Sequence, residues 1–299
     1  LLFKINLMLG ILSMLAFFFL NGKKLRIVNI LLYGFLIISF LLLSLHIGLR
    51  TYIAERLPFS NGFETMLIIA WCAMLSGLLF KRKIAIILPF SFLLSGCTLL
   101  VAYLGMMNPK ITPLIPVLSS PLLSIHVSVI MLAYTLLAFI ALNSLISIIQ
   151  TLVVKKGKND LQLLLERNKI HSLISLYPAL LLLGSGIFIG AVWANISWGR
   201  YWGWDPKEVW ALITFLVYGL MAHEKLCKYF SHVFFFHSFG LLAFSTVLMT
   251  YFGVNYFLGG MHSYAGEMEL DTAWLIIVGI FTAIFALIFA GYLRFTRNN

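Results

Sequence analysis

Charge is what this sequence has least of. Only 10% of its 299 residues are Asp, Glu, Lys or Arg, and just 10 are acidic, where a soluble domain carries about 25% charged residues. With a mean hydropathy of +1.01, the chain is excluded from the soluble globular class. Cysteine is scarce as well. Cys72, Cys97 and Cys227 each stand alone in or beside an apolar run, and there is no CxxC pair. Neither thiol exchange nor a covalently attached heme of the chain's own is therefore indicated. The first apolar run, Ile5 to Leu20, lacks a small-residue cleavage site, which argues against a removed signal peptide. A chain that opens on Leu reads as a mature fragment, or as one part of a longer or fused polypeptide.

What the sequence does have is apolar length: 62% of it is hydrophobic, in repeated runs of roughly 17 to 25 residues that suffice to cross a bilayer. The expected fold is all-α, a polytopic membrane helical bundle forming a single membrane domain over 1–299. About nine spans are expected, at 5–20, 27–49, 62–80, 84–105, 121–154, 174–195, 207–226, 231–257 and 272–293. The fifth is too long for one crossing and is expected to run on into the cytoplasm as an amphipathic arm. Fifteen Lys and Arg fall in one alternating set of gaps and six in the other. Basic loops face the cytoplasm, so the N-terminus is expected outside and the C-terminus inside. The net charge of +11 is thereby a topology signal, and nucleic acid is not an expected partner.

One extracytoplasmic gap is unusual. It holds WGRYWGWDPKEVW at 198–210, with Trp193 just upstream, so five of the chain's seven tryptophans fall within 193–210. Asp205-Pro206-Lys207-Glu208 reads as a helix start, with Asp205 as N-cap, Pro206 at the first helical position and Glu208 completing a capping box. An aromatic belt accounts for one or two indoles at a membrane boundary. The alternative is an apolar aromatic platform for a large flat ligand, with Arg200 and Lys207 beside it for acidic groups and the positive helix end favouring an anion.

Histidines approach this surface from two other segments. His126 lies six residues after Ser120 in SSPLLSIHVSVIMLAY, and His262 lies in FLGGMHSYAGE. Imidazoles that converge on an aromatic platform can ligate the iron of a heme. A lone membrane histidine can equally be an interhelical hydrogen-bonding residue. His223, in VYGLMAHEKLCK, is about 22 Å along its helix from Glu208, toward the cytoplasmic side. It reads either as a snorkelling residue or as part of a second site, with His237 a possible partner. His232 and His171 read as cytoplasmic interface residues, and His46 as structural.

WGRYWGWDPKEVWALI resembles the tryptophan-rich WWD signature of membrane heme-handling proteins. Together with SIHVSVIMLAY before it and TYFGVN and GGMHSYAG after it, it resembles the CcsA/ResC type of cytochrome c biogenesis protein. The resemblance is specific over about 121–265, the expected heme-handling core. It is looser over LPFSNGFETMLIIAW and earlier. It implies heme b as substrate and bound ligand, brought from the cytoplasmic side to the outer face. There His126 and His262 would ligate the iron against Trp198, Trp202 and Trp204, with Asp205 shaping the turn and Arg200 and Trp210 nearby. His223 matches the family's intramembrane ligand. The implied activity is a cytochrome c heme lyase or synthase that joins heme vinyl groups to CxxCH cysteines of apocytochrome c. The implied partners are a CcsB/ResB-type protein (separate or fused upstream), thiol-reducing proteins and membrane lipid. No residue is an obvious acid or base for that step, so no catalytic residue beyond heme positioning is expected. The bacterial inner membrane is the expected location, ahead of the thylakoid. Phe215 departs from the Trp often found there in the family.

Two readings compete. A permanent electron-transfer cytochrome would need histidine pairs on facing helices at two depths. A transporter with a proton relay through His223 and His46 leaves the tryptophan stretch unexplained.

Overall fold

A computed structural model describes residues 1–59, 62–80, 84, 86–104, 110–111, 120–153, 158–258, 260 and 270–297. Among them every regular element is a helix. That is the outcome for apolar segments in hydrocarbon, where each backbone N–H and C=O must be satisfied within the chain. Two compact units form, Leu1–Thr135 and Leu136–Asn299.

The first unit contains α1 (Leu2–Phe19), α2 (Gly22–Ala54), α3 (Gly62–Leu79), α4 (Ile87–Leu104) and the start of α5 (Pro121–Val153). Leu9, Leu36, Leu43, Met74 and Phe92 meet in its core. Dispersion alone orients apolar helices poorly in lipid, and buried polar side chains add direction. Asn6 of α1 does this, donating to Ser95 of α4 at 3.0 Å and accepting from Ser39 of α2 at 2.7 Å. At the end of α2, Arg50 meets Glu64 of α3 at 2.9 Å, and Arg56 meets the same carboxylate at 3.1 Å. Glu64 is fully buried. Hydropathy could not reveal this three-charge clasp.

The second unit contains the rest of α5, α6 (Lys158–Trp198), α7 (Pro206–Ala222), the short α8 (Lys228–Ser231), α9 (Val233–Leu248), a π-helical turn at Met249–Gly253, α10 (Val254–Phe257) and α11 (Leu270–Arg297). α6 starts 16 residues before its expected span, because Leu161 and Leu165 are buried one turn apart between charged residues. An amphipathic start of this kind escapes a hydropathy window. α5 runs on as one helix of 33 residues, longer than one crossing needs, and its far end packs on α6. Asn143 donates to the Asn168 carbonyl and to Ser172 Oγ, both at 2.7 Å, and Asn168 Nδ2 donates to Ser147 and Gln150. These polar groups zip the end of α5 to the start of α6.

Among the described residues eight helices are long and apolar enough to cross a membrane. α7, with 17 residues or about 26 Å, lies at the expected seventh span, 207–226. The protein is an integral membrane helical bundle.

Candidate functional site

The tryptophan segment is built from the end of one helix and the start of the next. α6 stops at Gly199, whose left-handed backbone (φ 73°) reverses the chain while its N–H donates to the Asn195 carbonyl at 2.9 Å. Glycine adopts that conformation without the Cβ clash. Trp193, buried in the last turns of α6, receives Trp198 edge-on, with centroids 4.7 Å apart at 71°.

The next reversal falls on a residue that resists it. Trp204 has φ 56°, a region costing an L-residue roughly 1–2 kcal/mol. Glu208 holds it there. One carboxylate oxygen of Glu208 accepts from the N–H groups on either side of Trp204, Gly203 at 2.8 Å and Asp205 at 3.2 Å. Asp205 in turn accepts from the Lys207 N–H at 3.0 Å, completing the capping box expected from the sequence. The strained turn leaves the Trp204 indole 75% exposed. Trp202 stands perpendicular to it, at 89° with centroids 6.0 Å apart. A flat ligand can thus stack on one of these rings and meet the edge of the other. The Arg200 guanidinium lies over Gly203, where a Cβ would come within 2.9 Å of it, so a cation borders the indoles. Trp210 sits half-buried further along α7, its carbonyl accepting from Thr214 at 2.8 Å.

The start of α7 is also tied to the segment after α9. Lys207 Nζ donates to Asn255 of α10 at 2.9 Å. Gly260 packs so closely on the cap that a Cβ there would lie 2.5 Å from Asp205 Oδ2 and 3.1 Å from Pro206 Cδ. Gly260 precedes His262 by two residues; His262 itself lies outside the described residues. His126 lies in the second turn of α5, half-buried, within the first unit.

At the opposite end of α7, His223 is the C-cap and is exposed. Its Nδ1 lies 2.7 Å from the Gly219 carbonyl. A carbonyl oxygen can only accept, so Nδ1 carries a proton, and Nε2 is the ring nitrogen that the neutral imidazole would offer to a metal. His237 differs. It is buried, with Nε2 3.1 Å from the Leu165 carbonyl and Nδ1 3.5 Å from Ser144 Oγ, so both ring nitrogens serve helix packing. Sequence reasoning missed Lys169, which is buried on α6 and reaches Glu224 at 2.7 Å and the Phe230 carbonyl at 2.9 Å. Its signal was only a lysine at an amphipathic spacing.

Residues 59–262 match the family described as Cytochrome C assembly protein. The chain is similar to Protein NrfI of Wolinella succinogenes, 40% identical over 240 residues, which cover 78% of this chain and 26% of that protein. The chain thus spans about a quarter of the length of NrfI. It is similar to the cytochrome c biogenesis protein CcsA of Chlamydomonas reinhardtii, 33% identical over 87% of this chain and 73% of the relative. The CcsA of Guillardia theta is 32% identical over 81% of this chain and 88% of the relative.

Proposed function

Because this chain belongs to the cytochrome c assembly protein family and acts in cytochrome c maturation as an integral membrane protein, we propose that it carries heme across the membrane and presents it on the outer face for attachment to apocytochrome c. The observation that carries this reading is the turn at Trp204. An exposed indole is held in an unfavourable backbone conformation by a dedicated carboxylate, and strain of that kind persists where the surroundings over-determine it. A belt residue anchoring the protein in lipid has no need of it.

The donor set fits a heme. Trp202 or Trp204 offers an apolar ring face, and Arg200 offers a cation to a propionate at the rim. His126 and His262 are the proposed axial ligands; Gly260, two residues before His262 in the chain, contacts Asp205 beside the tryptophan turn. Heme contributes two vinyl groups, across each of which a cysteine S–H adds with no net oxidation. The chain's own part is positioning: the tryptophans orient the ring and exclude water, and the histidines hold the iron until the CxxCH histidine replaces one of them. His223, with Nδ1 anchored and Nε2 available, is the proposed ligand of the earlier intramembrane site. A CcsB/ResB-type protein is the proposed partner and a bacterial inner membrane the proposed location; the basic loops support a cytoplasmic C-terminus.

The test is reconstitution. The chain is expressed with a CcsB/ResB-type protein and a CxxCH apocytochrome in a bacterium lacking its own c-type maturation. Covalently heme-stained cytochrome, absent when both CxxCH cysteines are serine, is expected. No covalent product with all three polypeptides present would contradict the proposal.

A further inference from the structure

We infer that the Lys169–Glu224 ion pair positions His223 as a ligand, an inference that rests on the reading of His223 as the intramembrane heme site. The turn after α7 is exposed at His223, Lys225 and Leu226. Its backbone turns on the His223 carbonyl, which accepts from Leu226 at 2.9 Å and from Cys227 at 3.2 Å. Glu224, which follows His223 in the chain, is caught by a lysine from another helix. Lys169 Nζ lies 2.7 Å from Glu224 Oε2, donates to the Phe230 carbonyl at 2.9 Å, and sits 5.2 Å from the Phe236 ring centroid.

Lys169 is only 7% exposed. A lysine so buried is retained at a cost unless its charge is met, and here three groups from the turn, α8 and α9 meet it. The result is one buried cation on α6 that fixes the segment on both sides of His232 and the turn that carries His223. The Gly219 carbonyl sets which imidazole nitrogen faces outward; the ion pair sets where that imidazole stands. Outer-shell partners of this kind orient metal-binding histidines, and their removal typically costs about 10- to 100-fold in affinity.

The test uses full-length protein in which His126 and His262 are both Ala, so that the heme remaining is that held through His223. Lys169→Met in this background should lower heme per protein at least about tenfold, with recovery on added imidazole, while Lys169→Arg should retain heme and the parent's reduced bands. Glu224→Gln, which keeps side-chain volume, should behave as Lys169→Met does and serves if that variant fails to accumulate. In this background Lys169→Met should accumulate and elute on size exclusion as the parent does, which a general loss of structure would not spare. Parent-level heme and unchanged reduced bands in both Lys169→Met and Glu224→Gln, where His223→Gly loses its heme, would overturn the positioning role alone. Undiminished heme in His223→Gly would remove the underlying reading of His223, and this inference with it.

Discussion

Replacing Glu208 by Ala removes one carboxylate and spares every aromatic ring, so it isolates the strained turn from the surface it presents. Trp204 at φ 56° stores roughly 1–2 kcal/mol. The Glu208 oxygen accepts two N–H groups flanking it, at 2.8 and 3.2 Å. Bonds to an ionised acceptor contribute about 1.5–3 kcal/mol each. At the lower figure the pair supplies about 3 kcal/mol and outweighs the strain, so the presented conformation dominates. Without the carboxylate the strain stands alone, and the presented turn becomes the minor conformation by about 1–2 kcal/mol. A ligand that needs this turn then binds with an apparent affinity reduced by the competent fraction, on the order of tenfold. Glu208→Gln keeps an acceptor without the charge and should lose only about half of the binding free energy of the two bonds. The assay is heme per purified protein by pyridine hemochrome, together with the yield of covalent cytochrome. Heme and yield within twofold of wild type in Glu208→Ala, at normal protein level, would refute the argument that the strained turn serves ligand presentation.

Other outcomes follow from the same geometry. Gly260→Ala places a Cβ 2.5 Å from Asp205 Oδ2, and should lower covalent cytochrome yield. Gly279→Ala, with nothing within 4 Å of the new methyl, should leave yield unchanged; equal yields in the two variants would contradict the contact. Glu64→Gln leaves Arg50 buried without its counter-charge and should cost about 3–5 kcal/mol, read as a lower denaturation temperature in detergent. An unchanged temperature would contradict the clasp. In a background lacking native cysteines, Cys at 201 should react with an impermeant maleimide from outside, and Cys at 225 only after the membrane is opened. The reverse pattern would invert the proposed topology.

The local features of the site were legible in the sequence, and the long-range ones were not. The N-cap of Asp205, Pro206 at the first turn and the Glu208 capping box follow from neighbours within four residues. All three appear in the structure. The positive φ at Trp204 does not follow from such rules, which would assign it to the adjacent Gly203. Only the double use of the Glu208 oxygen explains why the bulky residue takes it. The π-helical turn at Met249–Gly253 interrupts an evenly apolar run, so no compositional mark announces it. The Arg50–Glu64–Arg56 clasp and the Lys169–Glu224 pair depend on which helix faces which, a property of packing that single-segment hydropathy lacks. His237 was a candidate partner for His223 from its similar depth alone, and its two packing hydrogen bonds assign it to structure.

The most direct measurement is the reduced absorption spectrum of the purified protein, as wild type and with His126 and His262 each changed to Ala, with and without added imidazole. Both variants should lose heme or shift their reduced bands, and imidazole should restore them, since the exogenous ring fills the missing axial position. Unchanged spectra in both variants would move the heme away from the outer face and contradict the account.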